Sequence, residues 1–496
     1  MIAPLCRGIT CFVLVLGFLS YPSLGHSAEK QRPNIVLFFL DDFGARDLSC
    51  YGSSFYETPN MDRLAAEGMR FTNAYSAYPR CVPSRQGLLS GKIPARVEND
   101  SKDTTHALPL AEFTFGEALQ EAGYQTCYIG KWHLGKEGGD PGVQGFDTVI
   151  HSGSAGAPQS YFYPFPMEHG EAIVNPVDGQ DGDYLTDRLT DKAVEYIEDR
   201  AGKPFLLVMA HYAVHTPFEA SDNLKRKYRQ KLREAGLPQG GGKDDSDFVR
   251  DRQGLTKTVQ NNPIYAAMIE AADNSLGRIQ KALEDAEVDN NTIIILNSDH
   301  GGLSTRGLEN GRPVATSNLP YRQGKGSIFD GGTRVPMIVK WSGRVTPGTT
   351  SAVQVTGTDH YPSMLQMAGA SLRPQQHVDG QSYLPALDGD SYQRAPMFWY
   401  KWQARPDSTG DTRAISYIDG NYKVVLWLDE ELVELFDLHQ DPGERYNLAD
   451  AYPGKTAALL KALLKTEESV GNLREKGRKA LERRLERKQK PFPKSK

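Results

Sequence analysis

The sequence predicts an α/β protein with a large, mostly parallel central sheet flanked by helices. A smaller C-terminal antiparallel sheet subdomain and a C-terminal helix complete it. Three observations carry this reading. Short apolar runs alternate with helix-period segments, the pattern of βαβ units. Four of those runs end in acids, histidines or lysines, at the end where open α/β sheets place ligands. Past about Thr356 the pattern changes to a hairpin signal and a long amphipathic helix. With 496 residues, 39% of them hydrophobic, the chain can bury a large core.

The elements are taken in chain order. Ile35–Leu40 (IVLFFL) reads as a buried strand that ends in Asp41-Asp42. Thr58 can cap a helix with Pro59 in its first turn, Met61, Leu64 and Ala65 on one face, and Gly68 as its stop. A helix opens at Phe115, and the strand Tyr124–Ile129 leads into Lys131-Trp132-His133. Phe205–Ala210 (FLLVMA) runs into His211 and His215. The helix from Pro263 turns Tyr265, Ile269, Leu276 and Ile279 towards the core, and Thr292–Leu296 ends in Ser298-Asp299-His300. Gly153–Gly182 and Glu219–Thr258 are polar excursions, with some helix around Asn223–Glu234. Ala414–Ile418 and Tyr422–Trp427 form a hairpin around Asp419-Gly420; Leu435–Leu438 is short and ambiguous. The last helix covers about Lys455–Lys488.

A net charge of -5 offers no global field for nucleic acid. The tail Asn472–Lys496, with 11 Lys or Arg against 3 Glu, reads as a solvated terminus or a dock for an anionic polymer. At the other end, Arg7, the apolar run Ile9–Leu19 and the small pair Ser27-Ala28 have the layout of a signal peptide. The expectation is a secreted or periplasmic protein. Past that leader three cysteines remain, Cys50, Cys81 and Cys127, so one sulfur at least needs a fate other than a disulfide.

Asp41-Asp42 in isolation reads first as an ordinary solvated turn. Asp299-His300 repeats the pattern, and three carboxylates meeting in one crevice need a hard divalent cation, Ca²⁺ or Mg²⁺, although His300 is less usual for calcium. Cys81 precedes Pro83 and Arg85, so it sits near a helix N-terminus, where a thiol pKa falls and anions bind. Lys131, His133, His215 and Lys325 add charge and proton transfer. Together these describe a pocket for an oxyanion ester.

The run Cys81-Val82-Pro83-Ser84-Arg85 with Leu89-Ser90-Gly91 resembles the signature of type I, formylglycine-dependent sulfatases of the alkaline-phosphatase superfamily. Gly130-Lys131-Trp132-His133-Leu134-Gly135, Asp299-His300-Gly301 and Gly331-Gly332-Thr333-Arg334 extend the match, which runs from Pro33 to Leu448. The overall look is similar to exported bacterial polysaccharide sulfatases and arylsulfatases. The resemblance implies an alkaline-phosphatase-like fold; with the segments read above, the expected layout is a signal peptide at 1–28, a catalytic domain at 29–355, a C-terminal antiparallel-sheet subdomain at 356–453 and a basic C-terminal helix and tail at 454–496. It implies that a formylglycine-generating maturation enzyme converts Cys81, and that the hydrated aldehyde attacks sulfur. It implies metal ligation by Asp41, Asp42, residue 81, Asp299 and His300, with His300 at a position that is often Asn. Arg85 and Lys131 orient the nucleophile, His133 is the base, and His215 and Lys325 flank the leaving oxygen. The implied substrate is a sulfated saccharide of galactose or N-acetylgalactosamine type, with His151, His169 and Arg413 as candidate contacts. A formylglycine-dependent phosphonate or phosphate-ester hydrolase and a non-catalytic binder of sulfated glycans are the alternatives.

Overall fold

The computed structural model describes residues 1, 32–100, 107–135, 139–200, 202–238 and 247–471. The chain divides into a leading segment, Met1–Gln31, and one compact unit, Arg32–Lys496, to which every element named below belongs. The main sheet contains β1 (Asn34–Leu40), β2 (Met69–Tyr75), β3 (Gln125–Gly130), β4 (Thr148–Ile150), β5 (Phe205–Ala210), β6 (Thr292–Ser298), β7 (Met337–Trp341) and β8 (Thr349–Thr356). Their spatial order is β8-β2-β7-β6-β1-β5-β3-β4. Pairing is parallel throughout except around β7, which runs against both β6 and β2.

β1 reads as an unbroken apolar run because both of its faces are covered. Val36, Phe38 and Leu40 enter one core cluster, and Ile35, Leu37 and Phe39 enter the other. The first face is covered by helices Pro59–Glu67, Leu185–Glu198, Asp222–Glu234 and Pro263–Asp285. The second is covered by Cys81–Ser90, Phe115–Glu121, His360–Met367 and Leu384–Leu387. Local chemistry starts several of these helices. Thr114 and Glu117 form a reciprocal capping box at Phe115, and the Asn262 side chain accepts from the N–H groups of Ile264 and Tyr265. Thr58 does not cap as expected: its hydroxyl accepts from the Ser49 N–H and bonds Asp62 Oδ1 instead.

The smaller sheet is antiparallel and ordered β9 (Met397–Lys401), β10 (Ala414–Asp419), β11 (Tyr422–Trp427), β12 (Leu432–Asp437). One face packs on Tyr75, Ile328 and Phe329, and the other takes Leu459 and Leu463 of helix Pro453–Ser469.

Several expectations change. The boundary at 356 falls too early, because helices His360–Met367 and Leu384–Leu387 pack on the main sheet and the small sheet begins at Met397. The excursion 219–258 holds two strands, Phe248–Asp251 and Gly254–Lys257, which join Thr305–Gly307 in a three-stranded sheet. Leu432–Asp437 is a full strand. The terminal helix ends at Ser469; its expected continuation to Lys488, the basic tail and the leader lie outside the described residues. No helix among the described residues is long and apolar enough to cross a membrane. Cys50, Cys81 and Cys127 are all free thiols.

Candidate active site

Parallel strands end at a common edge, so the residues just past β1, β3, β5 and β6 converge there. Asp41 and Asp42 leave β1, Lys131 and His133 leave β3, His211 and His215 leave β5, and Asp299 and His300 leave β6. The reversed strand β7 begins at this same edge, which brings the preceding segment and Lys325 to it. Cys81 is the first residue of its helix, at the positive end of the helix dipole.

Backbone bonds lock these ends. The Asp41 N–H donates to Ala213 O at 3.0 Å, Asp299 N–H to Leu40 O at 3.1 Å, and Lys131 N–H to Ala210 O at 2.7 Å. Gly130, at φ +93°, lets β3 turn, because a Cβ there would lie 2.2 Å from Ala210 O.

The side chains interlock as buried ion pairs. Arg85 sets Nε 3.2 Å from Asp299 Oδ2 and donates through Nη1 to Lys131 O at 2.7 Å. Lys131 pairs with Asp41, and Lys325 Nζ lies 2.5 Å from Asp42 Oδ1. His300 Nε2 is 3.2 Å from Cys81 Sγ, 3.3 Å from Asp42 Oδ1 and 3.5 Å from Asp299 Oδ1. Its Nδ1 faces the Gly301 carbonyl at 3.0 Å, so Nδ1 carries the proton and Nε2 is the ligand atom. His215 Nε2 stands 3.9 Å from Asp42 Oδ2, and its Nδ1 donates to Thr216 O at 2.8 Å.

The electrostatics reflect this crowding. Burial would raise the Cys81 thiol pKa, yet Lys131, Lys325 and His300 together drive it well below the usual value. Burial also opposes ionisation of Asp42, but Lys325, His215 and His300 hold it at about 2. Burial and the charge of Asp41 push Asp299 up to about 8 despite Arg85. His133 falls to about 4 through burial and the neighbouring Lys131.

The donor set fits a divalent cation. One ligand atom each from Asp41, Cys81, Asp299 and His300 lies within 4.8 Å of the others, as do atoms of Asp42, Cys81 and His215. Asp41 Oδ1 is buried with no hydrogen-bond partner, the atom a hard cation would satisfy.

The Cys81 side of the cluster opens into a cavity of about 370 Å³. Cys81, His133, His215 and Lys325 line it. None of the three expected sugar contacts does. His151 is buried, accepts from the Val177 N–H through Nδ1 at 3.2 Å, and stands edge-on to Phe165 and Tyr212. His169 is exposed, and it is its neighbour Glu168 that lines the cavity. Arg413 is ion-paired with Asp429, its Nε 2.9 Å from Oδ1. The wall they were expected to supply comes from Arg80, Arg312, Trp402 and Arg405. Arg80 could have been suspected as the residue before Cys81; the others sit in polar segments with no local signature.

A family model described as Sulfatase matches residues 33–370. This chain belongs to the sulfatase family. A second model, described as N-sulphoglucosamine sulphohydrolase, C-terminal, matches residues 324–470, so the small sheet is also part of the sulfatase pattern. The sulfatase is 30% identical to the N-acetylgalactosamine-6-sulfatase of Canis lupus familiaris, over 87% of this chain and 85% of that one. It is 28% identical to a sulfatase of Formosa agariphila, over 89% and 90%. Among solved structures, that of Ps i-CgsB superposes with a TM-score of 0.70 at 25% identity, covering 89% of this chain and 93% of that one. The protein is therefore a sulfatase-family hydrolase on an alkaline-phosphatase-like fold.

Proposed function

We propose that this sulfatase releases inorganic sulfate from a sulfated carbohydrate, using residue 81 as formylglycine and a divalent cation held by Asp41, Asp42, Asp299 and His300. One observation carries the reading. The Cys81 side chain sits among those ligand atoms at the floor of the cavity, with Lys131 and Lys325 beside it. A maturation enzyme that recognises residues 81–85 supplies the oxidation. The formylglycine supplies a regenerable oxygen nucleophile, and the cation, Ca²⁺ or Mg²⁺, polarises sulfate oxygens.

The chain's own residues divide the remaining work. Lys131 and Lys325 are held in place by their carboxylate partners and meet the negative charge of the sulfate. Arg85, wedged between Asp299 and the Lys131 carbonyl, fixes the residues around position 81. His133, neutral down to about pH 4, is available to accept a proton beside residue 81. His215 donates its Nδ1 proton to Thr216 O, so Nε2 is the atom that can serve the leaving oxygen.

A carbohydrate is supported by the lining as well as by the relatives. Trp402 offers an apolar face, and Gln403 and Ser408 offer amide and hydroxyl groups to sugar hydroxyls. The dog relative is named for N-acetylgalactosamine, the sugar class proposed here together with galactose-type sulfates. Export by the leader, to the periplasm or outside, would place the enzyme with polymeric substrates.

The test is sulfate release from sulfated mono-, oligo- and polysaccharides by protein co-produced with a formylglycine-generating enzyme. Phosphate and phosphonate esters belong in the panel. Sulfate release should vanish in Cys81→Ala and on chelation, and return with calcium or magnesium. Fully converted protein that releases no sulfate, or that prefers the phosphorus esters, overturns the proposal.

A further inference from the structure

We propose that Arg312 and Arg405 form a second anion site, so that the preferred substrate carries another negative group beside the scissile sulfate. The inference rests on the sulfated-carbohydrate reading and specifies its substrate class as a dianionic saccharide. The second charge is either another sulfate or the carboxylate of an adjacent uronic acid.

At the floor of the cavity every cation already has a carboxylate: Lys131 with Asp41, Lys325 with Asp42, and Arg85 with Asp299. A sulfate ester brings one negative charge, and a divalent cation would more than balance it. The wall above is different. Arg80 pairs with Asp411 at 2.7 Å, but Lys401 shares that same carboxylate at 2.9 Å, so the triad keeps a net positive charge. Arg312 and Arg405 line the cavity with no carboxylate partner among the described residues. Glu168 is the one acid in the described lining, and it leaves the wall cationic.

These arginines are also presented on a braced platform. Arg312 Nη1 donates to Ser408 Oγ at 3.0 Å, and the Arg312 N–H donates to Asn310 Oδ1 at 2.9 Å. Asn310 Nδ2 in turn donates to Asp407 O at 2.7 Å. Arg405 immediately precedes the turn Pro406–Thr409, and its N–H donates to Asp411 Oδ1 at 2.8 Å. The Arg405 side chain is left exposed, with its backbone tied to the buried triad. Arg312 is held against the short turn that Arg405 precedes, so both residues belong to one cationic wall of the cavity. A planar donor held in advance, as Arg312 is by Ser408, suits a sulfate or carboxylate, because little ordering entropy is lost on binding.

The test measures kcat and KM on three substrates: a monosulfated N-acetylhexosamine, the same sugar with a second sulfate, and the monosulfated sugar linked to a uronic acid. The wild type should favour at least one dianionic substrate by about tenfold or more, the worth of one or two charge-assisted hydrogen bonds. Arg405→Glu and Arg312→Gln should erase that preference mainly through KM, and Arg405→Lys should keep part of it. Whichever dianion wins tells sulfate from carboxylate. No dianion preference in the wild type, or equal losses on all three substrates in the variants, overturns the second site. If no sugar is turned over by fully converted protein, the proposed function fails instead. Calorimetric binding of the same sugars to Cys81→Ala protein then decides the anion site alone: tighter dianion binding that Arg405→Glu abolishes upholds it, and equal binding refutes it.

Discussion

Replacing Lys423 with Met should unsettle the ligand-bearing edge of the main sheet from the inner face of the small sheet. Lys423 lies on β11, buried, with Nζ 2.9 Å from Asp330 Oδ1 and 2.7 Å from Glu444 Oε1. Glu444 Oε2 accepts the Asp330 N–H at 2.6 Å, and Arg334 closes the cluster on Asp330 at 2.7 Å. Asp330 comes five residues after Lys325, so this cluster anchors the segment that carries Lys325 to Asp42. Removing one partner of a buried pair leaves an uncompensated charge and costs about 3–5 kcal/mol. For a unit of this length, with an unfolding entropy of about 2.1 cal/mol/K per residue, that is a fall in Tm of roughly 3–5 °C. The penalty should grow with pH. Burial holds Glu444 up at about 7 even beside Lys423. At pH 5 it keeps its proton in the fold and loses little with Lys423, whereas at pH 8 it is ionised and the cost rises by about 1 kcal/mol or more. Thermal and urea unfolding of Lys423→Met, Glu444→Gln and the double variant are the assay. The double variant should be more stable than the sum of the single losses by at least about 1 kcal/mol. A Tm within about 1 °C of wild type, additive losses, or a penalty that shrinks with pH would refute the reasoning.

Two further predictions concern the main sheet. His211 is buried, with Nε2 2.9 Å from Ser275 Oγ, and burial depresses its pKa to about 3. The stability this group contributes is complete above its unfolded pKa near 6.5 and is lost as pH falls towards 3. The destabilisation of His211→Asn, measured by urea unfolding, should therefore be smaller at pH 5 than at pH 7.5 by about 2 kcal/mol; an equal penalty at both would count against a buried neutral imidazole. Gly130→Ala should cost roughly 2–5 kcal/mol, since it adds a left-handed backbone penalty to a Cβ placed 2.2 Å from the Ala210 carbonyl. Its Tm and its sulfate release should both fall, because Lys131 is the next residue; wild-type values would show that β3 can turn there without glycine.

How much was legible in the sequence depended on how local each feature is. β1, β5 and β6 announce themselves because strands covered on both faces need an unbroken apolar run. β8 (TTSAVQVT) is a partly exposed edge strand whose partner, β2, lies some 280 residues earlier, so its pairing leaves little trace in its own composition. The helix Cys81–Ser90 was legible through its proline and its polar signature, and the wall of the cavity was not. His151, His169 and Arg413 are polar residues on plausible excursions, yet one packs beneath the surface, one faces solvent and one pairs with Asp429.

By itself the sequence determined the class of fold, the strand ends that gather at one edge, and the identities of Cys81 and of the carboxylates, lysines and histidines around it. Those are properties of short segments, set by apolar periodicity and by which residue types can do the work. The tertiary structure alone decided that β7 runs backwards and so delivers Lys325 to the shared edge, that Lys423 braces the segment carrying it, and that Arg312 and Arg405 face the cavity. Each of those depends on contacts between segments distant in the chain, whose free energy comes from packing and charge compensation that no single segment contains.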